Sequence, residues 1–319
     1  MSAMVETING VAQMAFVGET PWHGLGTRVS AELTPKEMQI AAGLDWKVKK
    51  IPMFADIAGK QVYCGMDALV RETDNRVFGP VTQGWIPNQN DEAFEFMNDF
   101  VANGDMEMHT AGSLRGGKYV WALAKVNESF DLFGGDKVES YLLFCNPHQF
   151  GKSITIQFTP IRVVCWNTLS LSLSTAVDRM LRVDHRKTFD GDTVKETMGV
   201  AKDKLLKYKE MASFLGSKRY TMDELINYFN DVFPNSSKDE EKSKEPSRTA
   251  SLANAIIHEQ PGAEYAEGSW WQAYNAVTYL TDHELGRTAD NRMYNSWFGN
   301  NRDRKIKALN RAVEYAEAS

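Results

Sequence analysis

The chain has 319 residues, 43% of them hydrophobic and 24% charged, with a formal net charge of −6. That length admits one large domain or two ordinary ones, and the composition excludes a disordered chain. No apolar run is long enough to span a bilayer, which predicts no membrane insertion.

The opening MSAMVETING has neither the basic nor the apolar region of a secretory signal. Three unclustered cysteines, Cys64, Cys145 and Cys165, suit reduced thiols in a cytoplasm. Residues 1–35 read as irregular, with turn signals at Pro21, Gly24, Gly26 and Pro35. Within them ETPWHGLGTRV sets Trp22 and His23 beside two glycines, which suits either a turn that plugs a core or a site. PKEMQIAAG then predicts a short helix with Thr34 as N-cap, Pro35 first and Gly43 as stop. WKVKKIPMF and KQVYCGMDALVRE read as strands, the second ending in a turn at Asp74-Asn75. DEAFEFMNDFVA (91–102) has the spacing of one amphipathic helix, with Asn90 as its cap.

The centre reads as a meander. KYVWALAKV (118–126) is followed by a GGD turn, KVESYLLFC, a turn at NPHQFGK (146–152), and a strand in which Ile154, Ile156 and Phe158 alternate. Pro160 marks a bulge, an edge or a change of strand. MLRVDH (180–185) predicts one more strand. A long helix is expected from about 193, capped by Thr193 with Glu196 and stopped at Gly216. Its apolar seam, which includes Tyr208, Ala212 and Leu215, reads as packing on its own sheet. TMDELINYFNDVF (221–233) is a second helix. PNSSKDEEKSKEPSRTA (234–250) holds no aromatic or large aliphatic residue and reads as a charged linker or loop. It divides a mixed α/β body, residues 1–233, from a helical region, 251–319, packed on it. The expected class is α+β: a central antiparallel β-meander or sheet with packing helices, followed by a helical C-terminal region.

Charge is unevenly spread. Residues 152–219 carry a net +6, whereas 1–151 carry −7 and 220–319 carry −5. This basic island reads either as solvated helix surface or as a patch for an anionic ligand. Within it Arg162, Arg179, Arg182, Arg186 and Lys187 could track phosphates, with Trp166 as a stacking platform. Arg115 and Lys118, in the AGSLRGGK turn, join that set. The competing reading makes Trp166 a core residue and pairs the arginines with Asp178 and Asp184.

Chemical motifs are sparse. NPHQFGKS has Asn146 where a phosphate loop needs glycine, and strand-like residues follow it where that motif needs a helix. There is no C-x-x-C, no H-E-x-x-H and no G-x-S-x-G, so neither metal nor cofactor is expected and a non-enzyme is favoured. A second grouping, Trp22, His23, His185, Asp282 and His283, would form a pocket if the fold brought its members together.

Blocks at AFVGETPWHGLGTRV, NQNDEAFEF, HTAGSLRGGKYVWALAKV, TPIRVVCWNTLSLSL, WWQAYNAVTYLTDHELG and FGNNRDRKIKAL resemble, in the same order, the domain-of-unknown-function family 932 of phage and plasmid-borne proteins. The resemblance implies a cytoplasmic protein of a mobile element. The expected function is single-stranded DNA binding or annealing in recombination or replication, by a homo-oligomer. The alternatives are an enzyme processing a nucleotide or phosphate ligand, and a protein-binding factor acting against a host system.

Overall fold

The computed structural model describes residues 5–18, 25–162, 167–168, 181–185, 201–237, 245–286 and 289–318. Trp22, His23, Trp166, Arg179, Arg186, Lys187 and the expected cap at Thr193 lie outside the described residues. The chain is α+β and forms two compact units. Unit 1 comprises residues 1–127, 141–158 and 179–199; unit 2 comprises 128–140, 159–178 and 200–319. The sequence reading put its division at 234–250. The contacts instead divide the chain within its central strands, and the helices over 201–233 share a core with those after 250.

Unit 1 begins with short strands β1 (Thr7–Ile8), β2 (Val11–Ala12), β3 (Met14–Val17) and β4 (Thr27–Val29). Helix α1 (Pro35–Ala41) starts as its residues dictate: the Thr34 hydroxyl accepts from the Glu37 N–H, and the Glu37 carboxylate accepts from the Thr34 N–H. Strands β5 (Val48–Ile57), β6 (Lys60–Arg71) and β7 (Val77–Val81) form a three-stranded sheet in that order. The segment 91–102 is two short helices, α2 (Asn90–Glu95) and α3 (Asn98–Ala102), rather than one. Phe94 and Phe96 are both buried, and two residues apart they would face opposite ways on a continuous helix. Helix α2 is capped one residue earlier than its sequence suggests, at Gln89.

The long strands β8 (Met106–Leu114), β9 (Tyr119–Leu132), β10 (Asp136–Pro147) and β11 (Ile154–Arg162) are joined by turns too short for a crossover, as a meander requires. They extend through β3 to β4, with β12 (Asn167–Thr168) beyond β11 and β13 (Leu181–Val183) also on β11. Along β11 the partner changes, from β13 at Ile154–Ile156 to β12 at Ile161–Arg162. Pro160 sits between the two pairings, at the change of partner along the strand. Unit 1's core joins Leu69, Phe94, Met106, Leu142 and Phe144 to α1 through Met38.

Unit 2 is mainly helical: α4 (Ala201–Ser217), α5 (Met222–Val232), α6 (Arg248–Ile256), α7 (Trp270–Tyr279), α8 (Ala289–Phe298) and α9 (Asn300–Ala318). Its core is aromatic. Trp270 stacks on Tyr315 at 5.1 Å, and Tyr228 meets Trp270 edge-on at 5.5 Å. Tyr208, Ala212 and Leu215 of the α4 seam are buried in this core.

Candidate nucleic-acid interface

Three turns meet at one end of the unit 1 sheet. Two belong to the meander: 115–118 between β8 and β9, and 148–153 between β10 and β11. They are tied together where the His148 N–H donates to the Lys118 carbonyl at 2.8 Å and the Tyr119 hydroxyl donates to Gln149 at 2.9 Å. The third, between β6 and β7, brings Arg71, Asp74 and Arg76 against the first. Arg115, Gly116 and Gly117 are consecutive left-handed residues, with φ of 53°, 67° and 87°. A Cβ on Gly116 would lie 2.1 Å from Arg76 Nη2, and one on Gly117 would lie 2.7 Å from Arg71 Nη1. Gly117 is therefore favoured by the close approach of the buried Arg71 guanidinium as well as by its left-handed conformation, whereas Gly116 is favoured by its conformation, since the half-exposed Arg76 side chain can move aside.

The outer layer of this end is basic. Arg115 is exposed with its guanidinium over the Tyr119 ring, and Lys118 is half-buried beside it. Lys152 is exposed on the neighbouring turn, and Phe150 there is 49% exposed. Arg182 is exposed on β13, opposite Thr155 just past the same turn. Arg76 reaches Glu6 at 3.4 Å. The structure thus brings together Arg115, Lys118 and Arg182 of the residues expected to track phosphates. It adds Arg76, Phe150 and Lys152, which sequence reasoning missed. Lys152 was legible only as part of a failed phosphate-loop match, and Arg76 only as the residue after a turn.

Beneath this layer lies an ion-pair network in which Arg71 and Glu6 are buried and Asp74, on the turn, is exposed. Arg71 makes a two-pronged pair with Glu6, at 2.8 and 3.0 Å, and a second with Asp74, at 2.6 and 2.9 Å. Ser113 donates to Glu6 at 2.7 Å. Burial alone would lower the Arg71 pKa, but its hydrogen bonds to Asp74 and Glu6, with their negative charge, outweigh it and raise it further above its ordinary value. Arg71 also lies over the rings of Trp46 and Phe78.

Deeper still is a neutral polar cluster drawn from two short sequence patterns, Asn88-Gln89-Asn90 and Asn146-Pro147-His148. The Asn90 amide donates to the carbonyls of Leu44 and Trp46, so its oxygen faces His148 Nε2, 2.9 Å away. That geometry assigns the proton to His148 Nε2 and leaves Nδ1 as an acceptor. Burial, with smaller contributions from His185 and Arg71, pushes the His148 pKa down to about 3. Asn146 donates to the Asn88 carbonyl at 3.0 Å. Trp46 Nε1, Asn88 Nδ2, Asn146 Oδ1 and His148 Nδ1 have no hydrogen-bond partner among the described residues. His185 is buried, not a surface ligand: it stacks on Trp85 at 4.3 Å, and its Nδ1 faces the Ile86 carbonyl at 3.1 Å.

The remaining expected residues lie in unit 2. Arg162 pairs through its backbone with Asn167; its side chain is outside the description. Asp282 and His283 sit in a π-helical turn, Leu280–Glu284. There Asp282 accepts from the buried Lys305 at 2.8 Å, and His283 packs on Tyr279. Thr281 and Leu285 carbonyls of this turn are met by Asn301. The two sequence blocks 270–286 and 298–309 therefore converge on one partly buried turn. Among the described residues, no three His, Cys, Asp or Glu side chains group as metal ligands. No described helix is long and apolar enough to cross a membrane.

No curated protein and no solved structure matches the chain. A family profile, the domain of unknown function DUF932, matches residues 77–313. That span takes in the turns at 115–118 and 148–153, the Asn/His cluster and the helical core up to Val313, while the Trp22-His23 stretch precedes it. The chain belongs to the domain-of-unknown-function family 932.

Proposed function

We propose that this is a cytoplasmic protein of a phage or plasmid that binds single-stranded DNA at the turn-bearing end of unit 1, in recombination or replication. The observation that carries this reading is the convergence of Arg115, Lys118, Lys152 and Arg182, with the exposed ring of Phe150 among them. Cations spaced along sheet turns suit successive phosphates, and an exposed ring beside them suits an unpaired base. The ion-pair network beneath holds the turn backbones in place, so the cations are presented on a rigid support.

The test is a set of surface variants whose folding is secured by their exposure. Arg115→Ala, Lys152→Ala and Arg182→Ala together should weaken binding to a labelled single strand by about 100-fold or more at low salt. Phe150→Ala should weaken it by about tenfold, the scale of one stacked base. Unchanged affinity in the triple variant contradicts the reading. A second reading, an enzyme acting on a nucleotide or phosphate ligand, draws on the buried Asn90–His148 pair with its neutral imidazole. Turnover of a nucleotide that is lost in His148→Gln would support that reading.

A further inference from the structure

Arg76 stands among the outer cations yet is tied to the network beneath them. Its backbone is fixed: the N–H donates to Asp74 Oδ1 at 3.2 Å, and the carbonyl accepts from the Arg71 N–H at 2.9 Å. Its guanidinium has one hydrogen-bond partner among the described residues, Glu6 Oε1 at 3.4 Å. That contact is the longest that Glu6 accepts. Arg71 reaches the same carboxylate at 2.8 and 3.0 Å, and Ser113 reaches it at 2.7 Å. Glu6 is therefore satisfied mainly by its buried partners, and Arg76 is its loosest one.

The same guanidinium lies against the 115–118 turn. Nη2, Cζ and Nη1 of Arg76 all lie within 3.0 Å of where a Cβ on Gly116 would stand. Arg76 thus rests in the notch that a glycine leaves, with its side chain 48% exposed. A guanidinium carries several N–H groups in a rigid fork, so Nη1 can rest on Glu6 while the other donors stay open. Arg71 has no such freedom, being 0% exposed and engaged by two carboxylates. Formal charge sharpens the distinction. Glu6 and Asp74 balance Arg71 and Arg76, so the network is neutral and Arg76 adds no net charge to the outer layer. What it offers an anion is a set of aimed donors.

We propose that Arg76 orients one phosphate of the bound single strand, donating to it from the open edge of a guanidinium whose other edge stays on Glu6. The proposal rests on the DNA-binding reading and adds one directional contact to those that act by charge. Lysine cannot replace Arg76, because a point charge on a flexible stem does not bridge carboxylate and phosphate in one plane. Gly116 serves the contact by keeping the notch open.

Anisotropy of a labelled oligothymidylate with the full chain reads the effect. Arg76→Ala and Arg76→Lys should each weaken binding by about tenfold, the scale of one hydrogen-bonded contact to a charged group. Both should keep the parent's salt slope and a melting temperature close to the parent's. An ordinary surface cation would behave otherwise: lysine would rescue it, and alanine would lower the slope. Gly116→Asn puts a Cβ in the notch, and asparagine tolerates a left-handed backbone. It should cost the same factor alone and nothing further in the Arg76→Ala background, whereas a purely structural role for Gly116 would weaken binding in both. If the parent binds, then parental affinity in Arg76→Lys or additive losses with Gly116→Asn overturn the proposal and leave the DNA-binding reading standing. A parent that does not bind at low salt overturns both.

Discussion

Unit 1 buries charge and amides, including Glu6, Arg71, Asn90, Asn146 and His148, directly under an exposed row of cations. Unit 2 fills its interior with Trp270, Trp271, Tyr208, Tyr228 and Tyr274; its buried polar groups, among them Asp136, Gln260, Gln272, Asn275, Asn301 and the Lys305–Asp282 pair, are set among those rings and along the helices rather than under a row of cations. The contrast is instructive because hydrophobic burial is the cheaper route to stability, and buried polar networks specify geometry at some expense. Unit 2 reads as a core built for stability. In unit 1 the polar interior fixes where three turns go, and those turns carry the cations of the proposed interface.

The sharpest way to break this comparison is to remove one member of the buried pair. Arg71→Ala leaves Glu6 buried without its guanidinium and should cost about 3–5 kcal/mol in urea unfolding. Replacing both, Glu6→Gln with Arg71→Met, should recover much of that stability yet loosen the 115–118 turn, which hydrogen exchange would report. A loss under ~1 kcal/mol in the single variant means the network is not structural.

Acid should separate the units next. The folded-state pKa of His148 is about 3 against an ordinary value near 6.5, because burial disfavours its charged form. The stability this gives is therefore complete above about pH 6.5 and is lost as pH falls towards 3, by roughly 5 kcal/mol in total. Asp74, held below its ordinary value chiefly by the Arg71 hydrogen bond, adds a loss at the acid end of the same limb. Regional hydrogen exchange between pH 7 and 4 should show unit 1 opening first, and His148→Gln should flatten that dependence. Equal acid sensitivity of the two units would remove the contrast.

A cavity tests unit 2 in turn. Trp271→Phe deletes the indole N–H that donates to Asp136 at 3.0 Å. It should cost about 2–3 kcal/mol, the scale of an unpaired buried group with a small void, while leaving DNA affinity unchanged. The smallest effect is at a helix end. Ser247 accepts from the Ala250 N–H and donates to the Phe233 carbonyl, and Ser247→Ala should cost about 1 kcal/mol.

What was legible in the sequence follows the range of the interactions. Thr34 with Glu37 and Thr221 with Glu224 act within one turn, so those helix starts can be read directly. The meander follows from its turn residues. The Asn/His cluster was illegible because Asn90 and His148 meet across 58 residues, and neither pattern names the other. Asn90 looked like a cap because asparagine favours that position; its amide is instead engaged by the Leu44 and Trp46 carbonyls. The strands at 48–71 were readable, but no alternation reveals that both faces of a hairpin stay exposed. Likewise, Arg115 and Lys118 were singled out with Arg182 by charge alone; their meeting at one sheet end depends on the register of β8, β9 and β13.

The most direct measurement is fluorescence anisotropy of a labelled single-stranded oligonucleotide against the purified protein across a salt series. The account predicts preference for the single strand over duplex and a linear fall of log affinity with log salt. Four phosphate contacts, from Arg115, Lys118, Lys152 and Arg182, would give a slope of about −3. Removing Arg115 and Lys152 should bring that slope to about half. Absence of binding at low salt, or binding whose salt slope is indifferent to those two residues, would contradict it.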